Sequence, residues 1–298
     1  MPLRLKSLFA IAAALLGLLG LGAVPAEAAE ATTSPVAAVD GLSLRVEGDD
    51  WGAVSKQDIE AVLYSVAQVL MPVPTKKEGY RIVVAHDDRF PVVLYDRGAA
   101  GEYRVMLHAR DANWHLYVYE FAHEFCHVIS NYGAQGDEGQ RHNQWFEESL
   151  CETASLFALR TLADSWQAAP PAPHLAGGSV QLRWFYDLLM AEEHRHPKGE
   201  GMAAWLQGSE DELRQNPYQR RKNELVAMGL LPLFGSERAN WQALNYLNLD
   251  PADRDCSLDD YLEHWYRNAP AEQKPLVAGV RQLLLANGPA PQKLAANP

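Results

Sequence analysis

Basic residues are scarce in this chain of 298 residues. It contains 26 lysines and arginines against 38 aspartates and glutamates, so its formal net charge at pH 7 is −12. Proteins that bind nucleic acid or anionic membranes need positive charge to attract phosphate groups. The composition therefore argues against nucleic acid or an anionic membrane as the main partner, and it leaves the substrate undefined.

Cysteine is also rare, with three residues in the whole chain. Three cysteines allow one disulfide and leave one thiol. The first is Cys126, so no cysteine near the N-terminus is available for a lipid anchor. Cys126 and Cys151 lie in two neighbouring predicted helices, and a Cys126–Cys151 disulfide would fit if those helices pack together. The alternative is that both are small buried packing residues, and the sequence favours neither.

Only one long apolar run is present, at residues 8–24. It follows the basic residues Arg4 and Lys6 and precedes the tripeptide Ala-Glu-Ala at 26–28, as in a secretory signal peptide. We expect cleavage after Ala28 and an exported protein, periplasmic or secreted, without a stable membrane span. The alternative is an uncleaved anchor, for which the run is slightly short.

The spacing of apolar residues predicts an α+β fold in two parts. In the first part, residues 29–168, short β-branched or aromatic runs predict strands at 42–46, 81–85, 92–95 and 103–107. Helical periodicity there predicts helices at 55–70, 113–130 and 143–162. A proline-rich linker at 170–173 leads to residues 174–290, with predicted helices at 180–193, 202–214, 218–231, 238–247, 258–268 and 274–286. We expect residues 291–298 to fray.

The motif His-Glu-x-x-His occupies residues 123–127, at the junction of the small sheet and the helical part. Each residue of an α-helix turns by about 100°, so His123 and His127 share one face and can bind one metal ion. Glu124 flanks that face and can reach a water molecule on the metal. The alternatives are a cluster of mutually hydrogen-bonded side chains, or a structural zinc site with Cys126 as fourth ligand, whose short side chain we do not expect to reach.

A catalytic zinc ion usually has three protein ligands and keeps one position for water. The acidic helix predicted after residue 143 offers Glu148 as the third ligand, because the intervening loop is long enough to reverse the chain direction. Glu152 follows one turn later on the same face. We expect it to accept a hydrogen bond from the outer nitrogen of His123 or His127, as carboxylates around metal sites commonly do.

This pairing of motif and downstream glutamate resembles the gluzincin metallopeptidases, the group that includes thermolysin-like and aminopeptidase N-like enzymes. The sequence Trp-Phe-Glu-Glu at 145–148 is similar to the Trp-x-x-Glu context of the third zinc ligand in the aminopeptidase branch, and the resemblance covers about residues 103–159. It implies a zincin-like fold in which the strand Tyr103–Leu107 is the edge strand that pairs with an extended substrate. It also implies that His123, His127 and Glu148 bind Zn²⁺ and that Glu124 is the general base.

Gluzincins stabilise the oxyanion of the reaction with a second electrophile from the downstream helical part. Tyr218 is expected in this role, because it begins a predicted helix about as far past Glu148 as the resemblance places such a residue. Its rivals are His194, His196 and Tyr246. For each of these residues the alternative is an ordinary surface or packing role.

The sequence thus predicts an exported zinc metallopeptidase that hydrolyses peptide bonds in peptides or proteins. Two alternatives remain open, a non-catalytic cell-envelope binding protein on a zincin scaffold and a zinc amidase that acts on cell-wall peptides. The intact Glu124 argues against the first. The chain lacks the Gly-x-Met-Glu-Asn box that binds the substrate amine in the aminopeptidase branch, so the sequence does not specify endo- or exo-action, and it is silent on oligomeric state.

Overall fold

The computed structural model describes residues 39–71, 79–135, 141–196, 199 and 201–286. The predicted signal peptide and the predicted frayed tail lie outside these residues. Within them, no helix is both long enough and apolar enough to cross a membrane. The general class is α+β, with one small sheet and mostly helices.

The sheet has four strands: β1 (Leu42–Val46), β2 (Tyr80–His86), β3 (Val92–Val93) and β4 (Tyr103–Leu107). Their order is β1-β2-β4-β3, with β1, β2 and β4 parallel and β3 antiparallel to β4. The expectation that β4 is the edge strand is therefore wrong. The pairing of Val93 with Val105 places β3 outside β4, so the edge beside β4 belongs to β3.

The helices account for most of the described chain. They are α1 (Lys56–Leu70), α2 (Trp114–Ile129), α3 (Gln144–Ser165), α4 (Gly178–Met190), α5 (Met202–Gln207), α6 (Glu210–Gln215), α7 (Arg220–Phe234), α8 (Leu258–Asn268) and α9 (Lys274–Leu285). Short 3-10 helices lie at Tyr132–Gln135, Pro173–Leu175, Glu193–Arg195, Arg238–Tyr246 and Pro251–Arg254.

Three helical predictions differ from this arrangement. The segment 202–214 is two helices because Gly208, a poor helix former, ends α5 before α6 begins. The segment 238–247 is mainly a 3-10 helix rather than an α-helix. Helix α7 starts at Arg220, so Tyr218 lies in the connection before the helix and not in its first turn.

Helix α3 is the centre of the molecule. All its side chains from Gln144 to Leu159 are buried, and it packs against α1, α2, α4 and α7. Buried hydroxyl groups on α3 satisfy their hydrogen bonds with backbone carbonyls, as when Thr153 donates to the Ser149 oxygen at 2.7 Å. One hydrophobic core runs from Val39 to Leu284, so the proline-rich stretch 170–173 does not divide it.

The end of α2 is fixed by Asn131. Its backbone has φ of 61°, in the left-handed region that commonly follows the last turn of a helix. Its Nδ2 donates to the carbonyl oxygens of Asn245 and Leu247, at 3.0 and 2.9 Å. The helix with the His-Glu-x-x-His motif is thereby tied to the distant 3-10 helix Arg238–Tyr246.

Substitutions of Asn131 separate the contribution of its side-chain hydrogen bonds from that of its left-handed backbone. Asn131→Ala removes both hydrogen bonds and leaves alanine, which disfavours the left-handed region, at this position. We expect the variant to lose about 2–3 kcal/mol of unfolding free energy. Asn131→Gly removes only the hydrogen bonds and should be about 1 kcal/mol more stable than the alanine variant. Urea unfolding measures both, with the exposed Asn268→Ala as a near-neutral control. Equal stability of the two variants would contradict this account.

Candidate metal centre

Three side chains converge where α2 packs on α3. His123 Nε2 lies 3.3 Å from Glu148 Oε2, and His127 Nε2 lies 3.7 Å from Glu148 Oε1. The two imidazole rings are 5.1 Å apart between centroids. His127 is fully buried, while His123 and Glu148 are 4% and 5% exposed, so the group is almost entirely shielded from solvent. The structure thus brings together the three residues predicted as metal ligands.

The spacing of these atoms suits a metal ion. Two donors on a tetrahedral ion with bonds of about 2.0–2.1 Å are about 3.3–3.4 Å apart, close to the two measured distances. The atoms His127 Nε2 and Glu148 Oε1 are buried and have no hydrogen-bond partner within the described residues. Buried polar atoms are nearly always paired, so an ion bound to these two atoms would supply the missing partner.

Two other groups have donor atoms close enough to surround an ion: Asp253, Cys256 and His264, and Glu192, His194 and Glu224. Their acidic groups already have partners. Asp253 bonds to His264 Nδ1 at 2.8 Å and to the Asp250 backbone nitrogen at 3.1 Å. Arg195 is paired with Glu192 and with Glu224, at 2.9 and 3.0 Å. Of the three groups, the one on α2 and α3 is therefore the one with buried donor atoms that have no hydrogen-bond partner in the described chain.

Glu124 is held beside the three ligands. Its Oε2 accepts a hydrogen bond of 2.7 Å from the backbone nitrogen of Val93 in β3, whereas its Oε1 is buried without a partner in the described part of the chain. Burial raises the pKa of Glu124, against the opposing effect of His123 and His127. A carboxylate with a raised pKa and one available oxygen is suited to accept a proton from a nearby water molecule.

Glu120 lies one turn before Glu124 and is fully buried. Its Oε2 accepts hydrogen bonds from the backbone nitrogens of His108 and Ala109, at 2.8 and 2.9 Å. Burial raises its pKa to about 8, and the charge of Glu124 contributes to this shift. Glu120 thereby fastens the end of β4 to α2 and sets the position of the motif helix against the sheet.

Glu147 is a site residue that sequence reasoning missed. Its Oε1 accepts a hydrogen bond of 2.8 Å from His127 Nδ1, and its Oε2 accepts from Arg141 Nη1 and Asn248 Nδ2, both at 3.0 Å. Burial alone would raise its pKa, but Arg141, His127 and Asn248 outweigh this effect and lower the pKa to about 2. The ionised Glu147 therefore fixes the ring of His127 with Nε2 turned toward Glu148. Its position directly before Glu148 was the only signal for it in the sequence.

Glu152 has different partners from those expected. Its Oε2 accepts a hydrogen bond of 2.5 Å from the Tyr119 hydroxyl, and its Oε1 accepts one of 2.8 Å from Arg195. Burial opposes its ionisation, but Arg195 and Arg220 lower its pKa, and the charge of His123 acts in the same direction. The outer nitrogen of His127, Nδ1, bonds to Glu147 and not to Glu152, because Glu147 lies beside that ring.

Tyr218 is half-buried in the connection before α7. Its hydroxyl accepts a hydrogen bond of 2.9 Å from Gln144 Nε2, and burial together with the charge of Glu148 raises its pKa. Its rivals have other contacts. His194 bonds to Glu224, His196 bonds to the Met190 carbonyl at 2.8 Å, and Tyr246 packs on the hydrophobic core.

The cysteines form no disulfide. Cys126 and Cys151 are fully buried free thiols that hydrogen bond to each other, and Cys256 is a half-buried free thiol. Burial and the contact with Cys126 raise the pKa of the Cys151 thiol well above its usual range. The structure therefore corresponds to the packing alternative for Cys126 and Cys151, although α2 and α3 do bring the two side chains into contact as the disulfide alternative required.

No family model matches the chain, and no curated protein matches it significantly. The function is therefore inferred from the geometry and chemistry of the site itself.

Metal binding is expected to release a proton. Burial would lower the pKa of His127, but Glu148, Glu147 and Glu124 raise it to about 10, so we expect an imidazolium at neutral pH in the metal-free protein. A metal ligand must be deprotonated. Adding Co²⁺ to metal-free protein at pH 7 should release about one proton, and the apparent affinity should rise about tenfold per pH unit from pH 7 to 9, below the raised pKa.

Calorimetry in two buffers with different ionisation enthalpies measures this release. His174→Ala is the control, because His174 pairs with Asp58 on the surface and should leave the release unchanged. An affinity that does not change between pH 7 and 9 would show that His127 is already neutral in the metal-free protein.

Glu147→Gln tests whether Glu147 holds His127 in the orientation that metal binding requires. The amide keeps the size of the side chain but removes the charge that holds the His127 ring. We expect metal affinity to fall about 10- to 100-fold, the usual effect of losing such a carboxylate. Competition with a chelator measures the affinity, and the exposed Glu272→Gln serves as the matched control. Unchanged affinity in Glu147→Gln would mean that the ring is positioned by packing alone.

Proposed function

We propose that this protein is a zinc-dependent metallopeptidase of the gluzincin type. The observation that carries the proposal is the convergence of two imidazole nitrogens and a carboxylate next to the available oxygen of Glu124. His127 Nε2 and Glu148 Oε1 face each other at 3.7 Å without a hydrogen bond in the described chain. A purely structural polar cluster would not leave these buried atoms without partners.

The donor set indicates the metal. Two histidines and one glutamate are typical of catalytic zinc sites, which use three protein ligands and keep a fourth position open. When bound, zinc supplies a Lewis acid and lowers the pKa of a water ligand toward about 7. Within the described residues no lysine or arginine pairs with Glu124 or Glu148, so the positive charge that these carboxylates require is assigned to the ion and the imidazoles.

The residues then have distinct roles in hydrolysis. Glu124 accepts a proton from the attacking water and passes it to the leaving amine, while the Val93 backbone N–H holds its second oxygen in place. Tyr218 donates a hydrogen bond to the oxyanion that develops on the substrate carbonyl. Glu147 keeps His127 in the orientation that ligation requires.

We also infer a zincin arrangement of the elements around the site. In zincins the extended substrate lies along the edge strand of the sheet. Here that position belongs to β3, which is antiparallel to β4 and donates the Val93 N–H to the base. We therefore assign substrate pairing to β3 rather than to the strand Tyr103–Leu107.

Export through the predicted signal peptide is part of the same proposal, with peptides or proteins outside the cytoplasm as substrates. A non-catalytic binding protein on this scaffold would have no use for a carboxylate whose buried oxygen is left without a partner, as Oε1 of Glu124 is. A zinc amidase acting on cell-wall peptides would use the same residues, so the choice of substrate separates it from a general peptidase.

Glu124→Gln tests the proposed chemistry. The glutamine keeps the hydrogen bond from Val93 but cannot accept a proton, so the variant should retain zinc and lose about 10³-fold in kcat. A peptide library digested by zinc-loaded protein provides the assay, with metal content measured in parallel. Glu272→Gln is the matched control and should behave like the wild type.

Hydrolysis by Glu124→Gln at the wild-type rate would refute the assigned base. Cleavage of cell-wall stem peptides but of no library peptide would favour the amidase. A zinc-loaded wild type that cleaves neither would refute the enzyme proposal as a whole.

A further inference from the structure

Gln144 and Tyr218 form a contact that the proposed chemistry does not yet use. Gln144 is the first residue of α3, one turn before Glu148 and on the same face of the helix. Its side chain is 6% exposed, and its Nε2 donates to the Tyr218 hydroxyl at 2.9 Å. A buried amide without a partner would be unfavourable, so this contact also explains why a polar residue is stable at the position.

The direction of this hydrogen bond determines where the tyrosine proton can go. A phenol hydroxyl has one proton to donate and lone pairs that accept. Because Gln144 donates to the oxygen, the O–H of Tyr218 points away from Gln144. Within the described residues this proton has no acceptor, and the hydroxyl lies close enough to Glu148 to respond to its charge.

The rest of Tyr218 is also held in place. Its backbone nitrogen donates to Asn216 Oδ1 at 3.2 Å, in the connection between α6 and α7. Gln144 belongs to the rigid central helix, whereas Tyr218 belongs to a connecting segment. The Gln144–Tyr218 bond therefore joins the segment that carries the hydroxyl to the helix that carries the metal ligand Glu148.

We propose that Gln144 is a positioning residue, which orients the Tyr218 hydroxyl so that its proton is donated to the substrate oxygen at the metal. This inference rests on the proposed peptidase function. An amide suits the role because it donates a hydrogen bond without adding charge beside Glu148. A carboxylate at residue 144 would accept the proton of Tyr218 and withdraw it from the substrate.

A double-mutant cycle tests whether Gln144 acts through Tyr218. Gln144→Met keeps the length and removes the donor, and Tyr218→Phe removes the hydroxyl. We expect Tyr218→Phe to lower kcat about 100-fold, as loss of one oxyanion donor does, and Gln144→Met to lower it about 10-fold, both with KM nearly unchanged. In the Tyr218→Phe background, Gln144→Met should have no further effect, within about twofold.

A second readout does not require turnover. Acetohydroxamate binds zinc through two oxygens, one of which occupies the place of the substrate carbonyl oxygen, so the Tyr218 proton should stabilise it. Its Kd for zinc-loaded protein should rise in each single variant and no further in the double variant. Zinc content and thermal unfolding confirm that the variants are folded and loaded. Gln181→Met, on the half-buried side of α4, is the matched control and should change neither kcat nor Kd.

The outcomes separate this inference from the proposed function. Independent, multiplicative effects of Gln144→Met and Tyr218→Phe on both kcat and Kd would overturn the positioning role while leaving the peptidase intact. Absence of any effect of Gln144→Met would overturn it as well. A wild type without peptide hydrolysis, but with coupled effects on acetohydroxamate binding, would refute the peptidase and uphold the orientation of Tyr218 by Gln144.

Discussion

A carboxylate inside a protein must be close to positive charge or to hydrogen-bond donors, and this requirement organises the centre of the molecule. Helices α2 and α3 bury five glutamates, at positions 120, 124, 147, 148 and 152. Removing an ionised carboxylate from water costs several kcal/mol unless such partners are present. Helix α3 can therefore be buried at the centre of the fold only if hydrogen-bond donors or cations surround its carboxylates.

Glu120 is held by two backbone N–H groups, and the other four carboxylates divide into two pairs. Glu147 and Glu152 are each bound by a buried arginine, Arg141 and Arg195 respectively, and their pKa values are lowered. Glu124 and Glu148 have no arginine or lysine partner in the described chain and lie at the two imidazoles instead. The first pair stabilises the surroundings of the site, whereas the second pair is left for a metal ion and its chemistry. This division is the physical basis of the proposed hydrolase.

The supporting contacts come from far along the chain. Asn248 donates to Glu147, and Tyr261 in turn donates to Asn248 at 2.7 Å. Arg195 reaches Glu152 from the segment after α4, and Gln144 reaches the hydroxyl of Tyr218 before α7. The helical C-terminal part thus does more than cover α2, because it provides donors that fix the orientation of the side chains around the candidate metal site.

Short-range patterns made much of the site predictable. The helices predicted at 55–70 and 113–130, the second of which carries the motif at 123–127, depend on residues within a few turns, and both are present. The common face of His123 and His127 follows from helix geometry alone. Glu148 was predictable from its spacing and from its likeness to a known ligand context, since its distance along the chain permits a return to the motif.

Tertiary structure decided the rest. Glu147 and Glu152 are residues of the same type on one helix, so the sequence does not distinguish them. In the folded structure Glu147 lies between Arg141 and His127, whereas Glu152 is bound by Arg195. The order of β3 and β4 likewise depends on which strand pairs with β2, and alternation of residues cannot reveal it. The sequence by itself determined which side chains share a helix face, because helix geometry is local. Some partners of the buried charges lie far away along the chain, such as Arg195 for Glu152 at 43 positions and Asn248 for Glu147 at 101, so only the folded structure decided them.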